Sequence, residues 1–283
     1  IFATRHQLDL LNRAKSWYVD ATFKLYRQPF TQLLTVNAFV KAVDYVKQVP
    51  LVAVFRELLE LLPSPALRQV TLDFECAVWK VLRQLLPDVK LLGCVFHWTQ
   101  ALWRKVQELG LQVSYREDRG THAFIRKVMA LPFLSFLKRK DIRPQFQRLQ
   151  QTANSAPLRH FTDYVSRTWI ESNTWPPFSW SVFMQSVRTN NDVEGWQLGL
   201  HTRAQGKSQL PMYLLIDLLY KEAKLTSLNV RMVSEKKLRR VQRRRYRQIQ
   251  AKVFSLWGQY EEGDKTAREL LKACSLLVGP RGA

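Results

Sequence analysis

The sequence lacks the features that mark several common classes of protein. No apolar run reaches the roughly 18 residues that a membrane-spanning helix needs, which excludes an integral membrane protein built on such a helix. Only three cysteines (Cys76, Cys94 and Cys274) occur among 283 residues, too few for a disulfide framework in a chain of this length. This low cysteine content favours a reducing, intracellular compartment.

Acidic residues are scarce as well. Asp and Glu number 23 against 44 Lys and Arg, which gives a formal net charge of +21 and an isoelectric point near 10.2. A positive excess of this size attracts polyanions such as DNA, RNA or an anionic membrane surface. Hydrophobic residues make up 46% of the chain, so it can bury a substantial core, as one large domain or two modest ones.

Strand and helix patterns alternate along the first hundred residues. Short runs of apolar, β-branched and aromatic residues predict strands at 16–24, 32–40, 49–55, 70–73 and 90–96. Helical spacing of apolar residues predicts helices at 55–62, 75–86 and 98–109. This order of elements predicts a mixed α/β fold.

The pattern changes after about residue 117. Helical periods and crowded aromatic residues up to 187 predict a separate helical subdomain, and later helices are predicted at 190–200, 211–228 and, as one long basic helix, 231–273. The predicted layout therefore has four parts. They are the first part of a core at 1–112, a helical insertion at 113–187, the last part of the core at 188–230 and a basic helical tail at 231–283.

Two carboxylates stand in predicted strands. Asp20 lies within the first strand and Asp73 ends the fourth. A buried carboxylate is costly unless a cation or a metal compensates its charge; alternatively, each is a strand-end residue that caps the next helix. If the two strands are neighbours, both carboxylates converge and, with a third acid, would hold one or two Mg²⁺ ions in an all-oxygen site. Such a site suits in-line displacement at a phosphodiester.

Four segments occur in a characteristic order: WYVDATFK, VTLDFECAVW, GCVFHWTQALWRKV and TNNDVEGW. Together they closely resemble the transposase domain of Mutator-like elements, over most of the chain from about Phe2 to about Leu228. The resemblance implies an RNase H-like mixed sheet interrupted by an all-α insertion subdomain and followed by a basic helical C-terminal region. It implies metal-dependent cleavage and transfer of DNA strands in the nucleus, with an assembly of several copies on DNA left open.

By matching motifs, the resemblance gives the DDE triad as Asp20, Asp73 and Glu194, which would hold Mg²⁺ or Mn²⁺. The predicted insertion fills the long interval between Asp73 and Glu194. The C-x-x-H pair Cys94 and His97 is half a zinc site without a second pair at ligand spacing, so a structural zinc is disfavoured. The resemblance implies instead that this pair lies near the acids and contacts DNA; the alternative is a core cysteine and a residue at a helix start.

Two further features are candidates for DNA contact. Trp175 and Trp180, near the Pro176-Pro177 turn, would stack on a flipped base, although such aromatics more often form the core of a helical subdomain. The segment 231–247 holds nine Lys or Arg and one Glu, which predicts phosphate contact, a nuclear localisation signal or both, rather than a merely solvated helix face. Its candidate DNA-binding residues are Lys236, Lys237, Arg239, Arg240, Arg243, Arg244, Arg245 and Arg247.

Two departures from the resembled family bear on activity. Gln197 follows Trp196 where the family commonly has His or Asn, and the third strand runs almost directly into a short helix at Val54-Phe55. This helix belongs to the crossover that connects the third strand to the fourth. A shortened crossover would misplace the two strands that carry Asp20 and Asp73 relative to each other. The alternatives are therefore a catalytically idle, transposase-derived nuclear DNA-binding protein and a general nuclease on the same core. A module that reads terminal repeats is not recognisable.

Overall fold

The computed structural model describes residues 1–23, 32–42, 45–52, 55–136, 141–185, 191–204, 210–235 and 244–279. The chain divides into two compact units. The first unit comprises residues 1–91 and 190–241, and the second comprises 92–189 and 242–283. The predicted layout instead drew its boundaries at 112/113, 187/188 and 230/231, so the structure assigns part of the predicted core and most of the predicted tail to the second unit.

A mixed sheet organises the first unit. In the described part of the chain its five strands are β1 (Ser16–Phe23), β2 (Gln32–Ala42), β3 (Tyr45–Val52), β4 (Gln69–Leu72) and β5 (Lys90–Gly93). Their order across the sheet is β3-β2-β1-β4-β5, with β1, β2 and β3 antiparallel and β1 and β4 parallel. This arrangement confirms the prediction of a mixed α/β fold.

The third strand begins and ends earlier than its sequence pattern predicts. β3 pairs along β2 from Tyr45 opposite Ala42 to Val52 opposite Thr35. Phe55 was predicted both to close this strand and to begin the next helix, and it is the first residue of the helix α2 (Phe55–Glu60), where its side chain is buried. Pairing with β2, which has eleven residues, extends β3 back to Tyr45, opposite the last residue of β2. The apolar residues of the third segment alone do not predict this extension.

Helices cover the sheet of the first unit. Those described, besides α2, are α1 (Arg5–Arg13), α3 (Cys76–Leu85), α9 (Asn191–Arg203) and α10 (Met212–Ser234). Thr4 and Gln7 form a capping box at the start of α1, with the side chain of each accepting a backbone N–H of the other. Helix α1 packs on β2 and β3, α10 packs on the same two strands, and α9 packs on β1 and β3.

In the part that the structure describes, the second unit is built of helices, apart from Leu92 and Gly93 at the end of β5 and the segments that connect the helices. Its helices are α4 (Val95–Glu108), α5 (Gln112–Glu117), α6 (Arg119–Met129), α7 (Ile142–Gln151), α8 (Ala156–Val165), α11 (Arg244–Glu261) and α12 (Ala267–Ser275). Fully buried tryptophans fill its core, where the Trp98 ring stacks on Trp180 at 4.5 Å between centroids and meets Trp169 edge-on at 4.8 Å. None of the helices described in the chain is both long enough and apolar enough to cross a lipid bilayer.

The prediction of a single basic helix at 231–273 is wrong. Helix α11 ends at Glu261, Gly263 adopts a left-handed conformation with φ +89°, and Thr266 starts α12 through a capping box with Glu269. Helix α11 also belongs to the core of the second unit. Its Trp257 is fully buried and donates from Nε1 to the Phe133 carbonyl at 2.9 Å, and the Tyr260 hydroxyl donates to the Asp141 carboxylate.

Candidate active site

Asp20 and Asp73 lie on or next to two neighbouring strands of the sheet. Strands β1 and β4 run parallel, and the last residues that pair are Tyr18 and Thr71. Asp20 and Asp73 each lie two residues beyond this pair, Asp73 just after the end of β4. Neighbouring strands lie about 4.8 Å apart, and residues at one level project from one face of the sheet. The two strands are thus neighbours, as the predicted site requires, despite the short crossover between β3 and β4.

Polar side chains continue from the two acids along the same face. In the antiparallel pairing with β2, Asp20 lies opposite Thr35 and Tyr18 lies opposite Asn37. Asp20, Thr35, Asn37 and Thr71 are all buried. Because side chains alternate between the faces of a strand, these residues form one polar face, whereas the opposite face of β1 carries the buried, apolar Trp17 and Val19.

Hydrogen bonds tie this polar face to the Asp20 backbone. The Thr35 hydroxyl donates to the Asp20 carbonyl at 3.0 Å, and the Asn37 Nδ2 donates to the Thr35 hydroxyl and to the Tyr18 carbonyl, both at 3.2 Å. The Ala21 N–H donates to Asp20 Oδ1 at 2.9 Å. This network fixes the segment of β1 that carries Asp20. Our sequence reasoning missed Thr35 and Asn37, although two polar residues at alternate positions of a predicted strand are a usable signal.

The donor atoms on this face suit a hard divalent cation. Besides the two carboxylates, Asn37 Oδ1 and Thr71 Oγ1 are buried, and no described residue gives them a hydrogen-bond partner. Mg²⁺ and Mn²⁺ prefer oxygen ligands and keep several bound waters, whose protons need acceptors of this kind. Buried oxygens without partners are costly in an apolar core but are expected where hydrated ions bind. The residues present therefore fit the implied metal.

Helix α9, which carries Glu194, packs against this same face of the sheet. Leu33 shares the face of β2 with Thr35, and it packs in one cluster with Leu200 of α9 and with Leu215 and Leu219 of α10. The backbone of Glu194 lies in the first turn of α9, whereas its side chain is outside the described residues. Among the side chains that are described, no group of three His, Cys, Asp or Glu could hold a metal. A third ligand from Glu194 therefore remains a prediction.

Asp73 resists ionisation in the folded chain. Burial, followed by the negative charge of Glu75, raises the pKa of the Asp73 carboxyl from 3.8 to about 6. Its backbone carbonyl accepts a hydrogen bond from the Trp79 indole at 2.6 Å, which holds the end of β4 against α3. A cation bound nearby would oppose this shift and lower the pKa of Asp73, because it favours the ionised form of the carboxyl.

This pKa shift predicts that Asp73 destabilises the metal-free protein at neutral pH. A carboxyl whose pKa is higher in the folded state stabilises the fold below its unfolded pKa, and this contribution is lost as the pH rises through about 6. With EDTA present, we expect Asp73→Asn to raise the free energy of unfolding at pH 7.5 by up to about 3 kcal/mol, and to change it by less than about 1 kcal/mol near pH 4. Urea denaturation at both pH values measures this difference. A variant that is less stable than the wild type at pH 7.5 would contradict it.

Cys94 and His97 lie at the start of α4 in the second unit. Cys94 is fully buried at the position before the helix, so it contributes to the core and offers no surface to DNA, which corrects the predicted contact. His97 is partly buried, and its Nδ1 has no partner among the described residues. Burial and then the positive charge of Arg104 lower the pKa of His97 to about 4. His97 is therefore neutral at pH 7. It could donate a hydrogen bond to a phosphate but could not form an ion pair with it.

Trp180 belongs to the core rather than to a base-stacking surface. Its side chain is 0% exposed, its ring stacks on Trp98, and its Nε1 donates to the Trp175 carbonyl at 3.0 Å. This corrects the prediction that a flipped base stacks on Trp180, because neither face of the ring is accessible. Trp175 is only partly buried and stacks on Trp169 at 5.5 Å between centroids.

Most of the predicted DNA-binding run lies outside the described residues. This applies to Lys236, Lys237, Arg239, Arg240 and Arg243 entirely, and to the side chains of Arg244 and Arg245 at the start of α11. The side chain of Arg247 is described and exposed. Phosphate contact by this run thus stays a prediction.

Gln197, the residue that departs from the resembled family, lies on α9 one turn after Glu194. Its side chain is partly buried, and its Nε2 has no hydrogen-bond acceptor among the described residues. An amide in this place can donate a hydrogen bond as a histidine could, but it cannot take up a proton at neutral pH.

Comparisons with known proteins do not assign the chain to a family. No model of a protein family matches the chain, and no curated protein matches it.

Proposed function

We propose that this chain is a DDE-type DNA transposase that uses a divalent metal to cleave and transfer DNA strands. The observation that carries the proposal is the parallel pairing of β1 with β4, because the buried Asp20 and the partly buried Asp73 each lie two residues beyond its last pair, Tyr18 and Thr71. The net charge of +21 supports DNA as the substrate, because an acidic site in a cationic protein suits a polyanion bound around it.

The order of the strands supports an RNase H-like core. An antiparallel β1-β2-β3 meander continues through a crossover into β4, which lies parallel beside β1, with β5 beyond it. Residues 92–189 of the helical second unit lie between the two segments of the first unit along the chain, which is where the resembled family has its insertion. This topology sets the first acid on the central strand and the second at the end of its parallel neighbour.

Each residue of the site has a separate task in this proposal. Asp20, Asp73 and Glu194 would hold Mg²⁺ or Mn²⁺, which when bound would activate a water or a 3′-hydroxyl and stabilise the leaving oxygen. Thr35 and Asn37 hold the backbone of Asp20 in place. The basic run at 231–247 would hold the phosphate backbone, a contact that does not depend on base sequence.

An idle DNA-binding protein is the second candidate function. Gln197 favours it, because it departs from the His or Asn that the resembled family commonly has at this position and, unlike a histidine, it cannot exchange protons near the acids. In that case the basic surface would bind DNA while the acids neither bind metal nor cleave.

Incubation of the wild-type protein with supercoiled plasmid and a labelled oligonucleotide separates these functions. A transposase is expected to nick the plasmid with Mn²⁺ and to join the oligonucleotide to it through its 3′-hydroxyl, and EDTA should stop both reactions. Nicking without joined product would indicate a general nuclease. Binding without nicking at any Mn²⁺ concentration would leave the idle DNA-binding protein.

A further inference from the structure

A buried carboxylate on α10 contacts two side chains of helix α9. Glu222 is only 6% exposed. Its Oε1 lies 2.5 Å from Arg203 Nε, and its Oε2 accepts hydrogen bonds from Arg203 Nη2 at 2.8 Å and from Trp196 Nε1 at 3.0 Å. Both donors belong to α9, so one carboxylate joins the early and the last part of that helix to α10.

Helix α10 is itself fixed on the sheet. It packs on β2 and β3, and its Leu215 and Leu219 share a cluster with Leu33 of β2 and Leu200 of α9. The apolar cluster resists separation of α9 from the sheet but permits sliding and rotation, since hydrophobic contacts are not directional. The Glu222 carboxylate fixes orientation as well, because the hydrogen bonds that its Oε2 accepts from Arg203 Nη2 and Trp196 Nε1 align only in one geometry.

We propose that Glu222 is a positioning residue that sets helix α9, and with it Glu194, over the face that carries Asp20 and Asp73. This inference rests on the proposed function. Trp196 lies two residues from Glu194, so its hydrogen bond to Glu222 acts on the same turn of α9. A buried carboxylate is costly in free energy unless polar partners compensate its charge. Glu222 has three such contacts, two with Arg203 and one with Trp196, and together they favour one position of α9. Metal ligands must be held to within about 0.5 Å, which an apolar contact alone does not ensure.

The affinity for Mn²⁺ tests the inference without measuring catalysis. Titration of the full chain with Mn²⁺, followed by the electron paramagnetic resonance signal of the free ion, gives the dissociation constant. We expect Glu222→Gln to weaken Mn²⁺ binding by about 10–100-fold, the usual effect of removing a group that orients metal ligands. Asp217→Asn is the matched control, because Asp217 lies on the same helix in an exposed pair with Lys221 and should leave the affinity unchanged.

A second pair of variants separates positioning from stability. Leu11→Ala should destabilise the first unit through the buried contact of α1 but bind Mn²⁺ as the wild type does. If Glu222→Gln does not fold, Trp196→Phe removes one hydrogen bond, keeps an aromatic ring at this position and should still weaken binding a few-fold. Wild-type affinity in Glu222→Gln, or in Trp196→Phe, overturns the positioning role alone. Absence of Mn²⁺ binding in the wild-type protein overturns the proposed function, and the positioning role with it.

Discussion

Replacement of Asp20 by asparagine is expected to lower Mn²⁺-dependent strand cleavage by about 10³-fold or more, which corresponds to about 4 kcal/mol of transition-state stabilisation. Asn keeps the size of the side chain and its hydrogen bond from the Ala21 N–H but removes the charge that binds the metal. Glu194→Gln should have an effect of similar size. The rate of plasmid nicking under single-turnover conditions measures both.

Asp88→Asn is the matched control for Asp20→Asn. Asp88 is exposed in the turn after α3, so its replacement removes the same charge from the same unit without touching the polar face. Cleavage should continue at the wild-type rate in this variant. Equal nicking by the wild type and Asp20→Asn would end the enzymatic interpretation and leave the idle DNA-binding protein.

Neutralisation of the basic run is expected to weaken binding to every DNA sequence alike. Each phosphate contact contributes about 0.9 to the slope of log affinity against log salt concentration. Four substitutions to Gln, at Lys236, Lys237, Arg239 and Arg240, should therefore flatten the slope by up to about 3.6 and lower the affinity at 0.1 M salt by up to about 10³-fold. Fluorescence anisotropy with duplexes of unrelated sequence, at several salt concentrations, gives both quantities.

A control with the same loss of charge tests whether the run itself is responsible. Lys80, Lys221, Lys224 and Lys252 are exposed and lie outside the run, and their joint replacement by Gln should change the slope far less. Equal losses in the two variants would mean that the net charge alone drives binding. Loss of affinity for a single DNA sequence would contradict phosphate contact by the run, because such contacts carry no sequence information.

The sheet was largely predictable because its signals are local. Strands β1 and β2 follow runs of β-branched and aromatic residues, and the structure agrees with their predicted starts. The start of β3 was not predictable in the same way, since pairing with β2 decides it. The long basic helix failed for a different reason: its Lys and Arg suit a continuous helix, but Gly263 and the Thr266 cap interrupt it.

Of the candidate active site, only the acidic residues could be predicted from the sequence. Asp20 and Asp73 stand out because carboxylates are rare in apolar strands, whereas the alignment of the two depends on a parallel pairing that the sequence does not state. Glu222 carries no signal at all, because a glutamate on a helix is ordinary until the fold buries it beside Arg203 and Trp196. The burial of Trp180 likewise follows from packing on Trp98.

The most direct test of the account is a crystal structure of the protein soaked in Mn²⁺, with anomalous diffraction to locate the ion. The account predicts one or two Mn²⁺ ions on the polar face of the sheet, bound by carboxylate oxygens of Asp20, Asp73 and Glu194. Ions bound elsewhere, or a Glu194 carboxylate too far away to share an ion with the two aspartates, would contradict it.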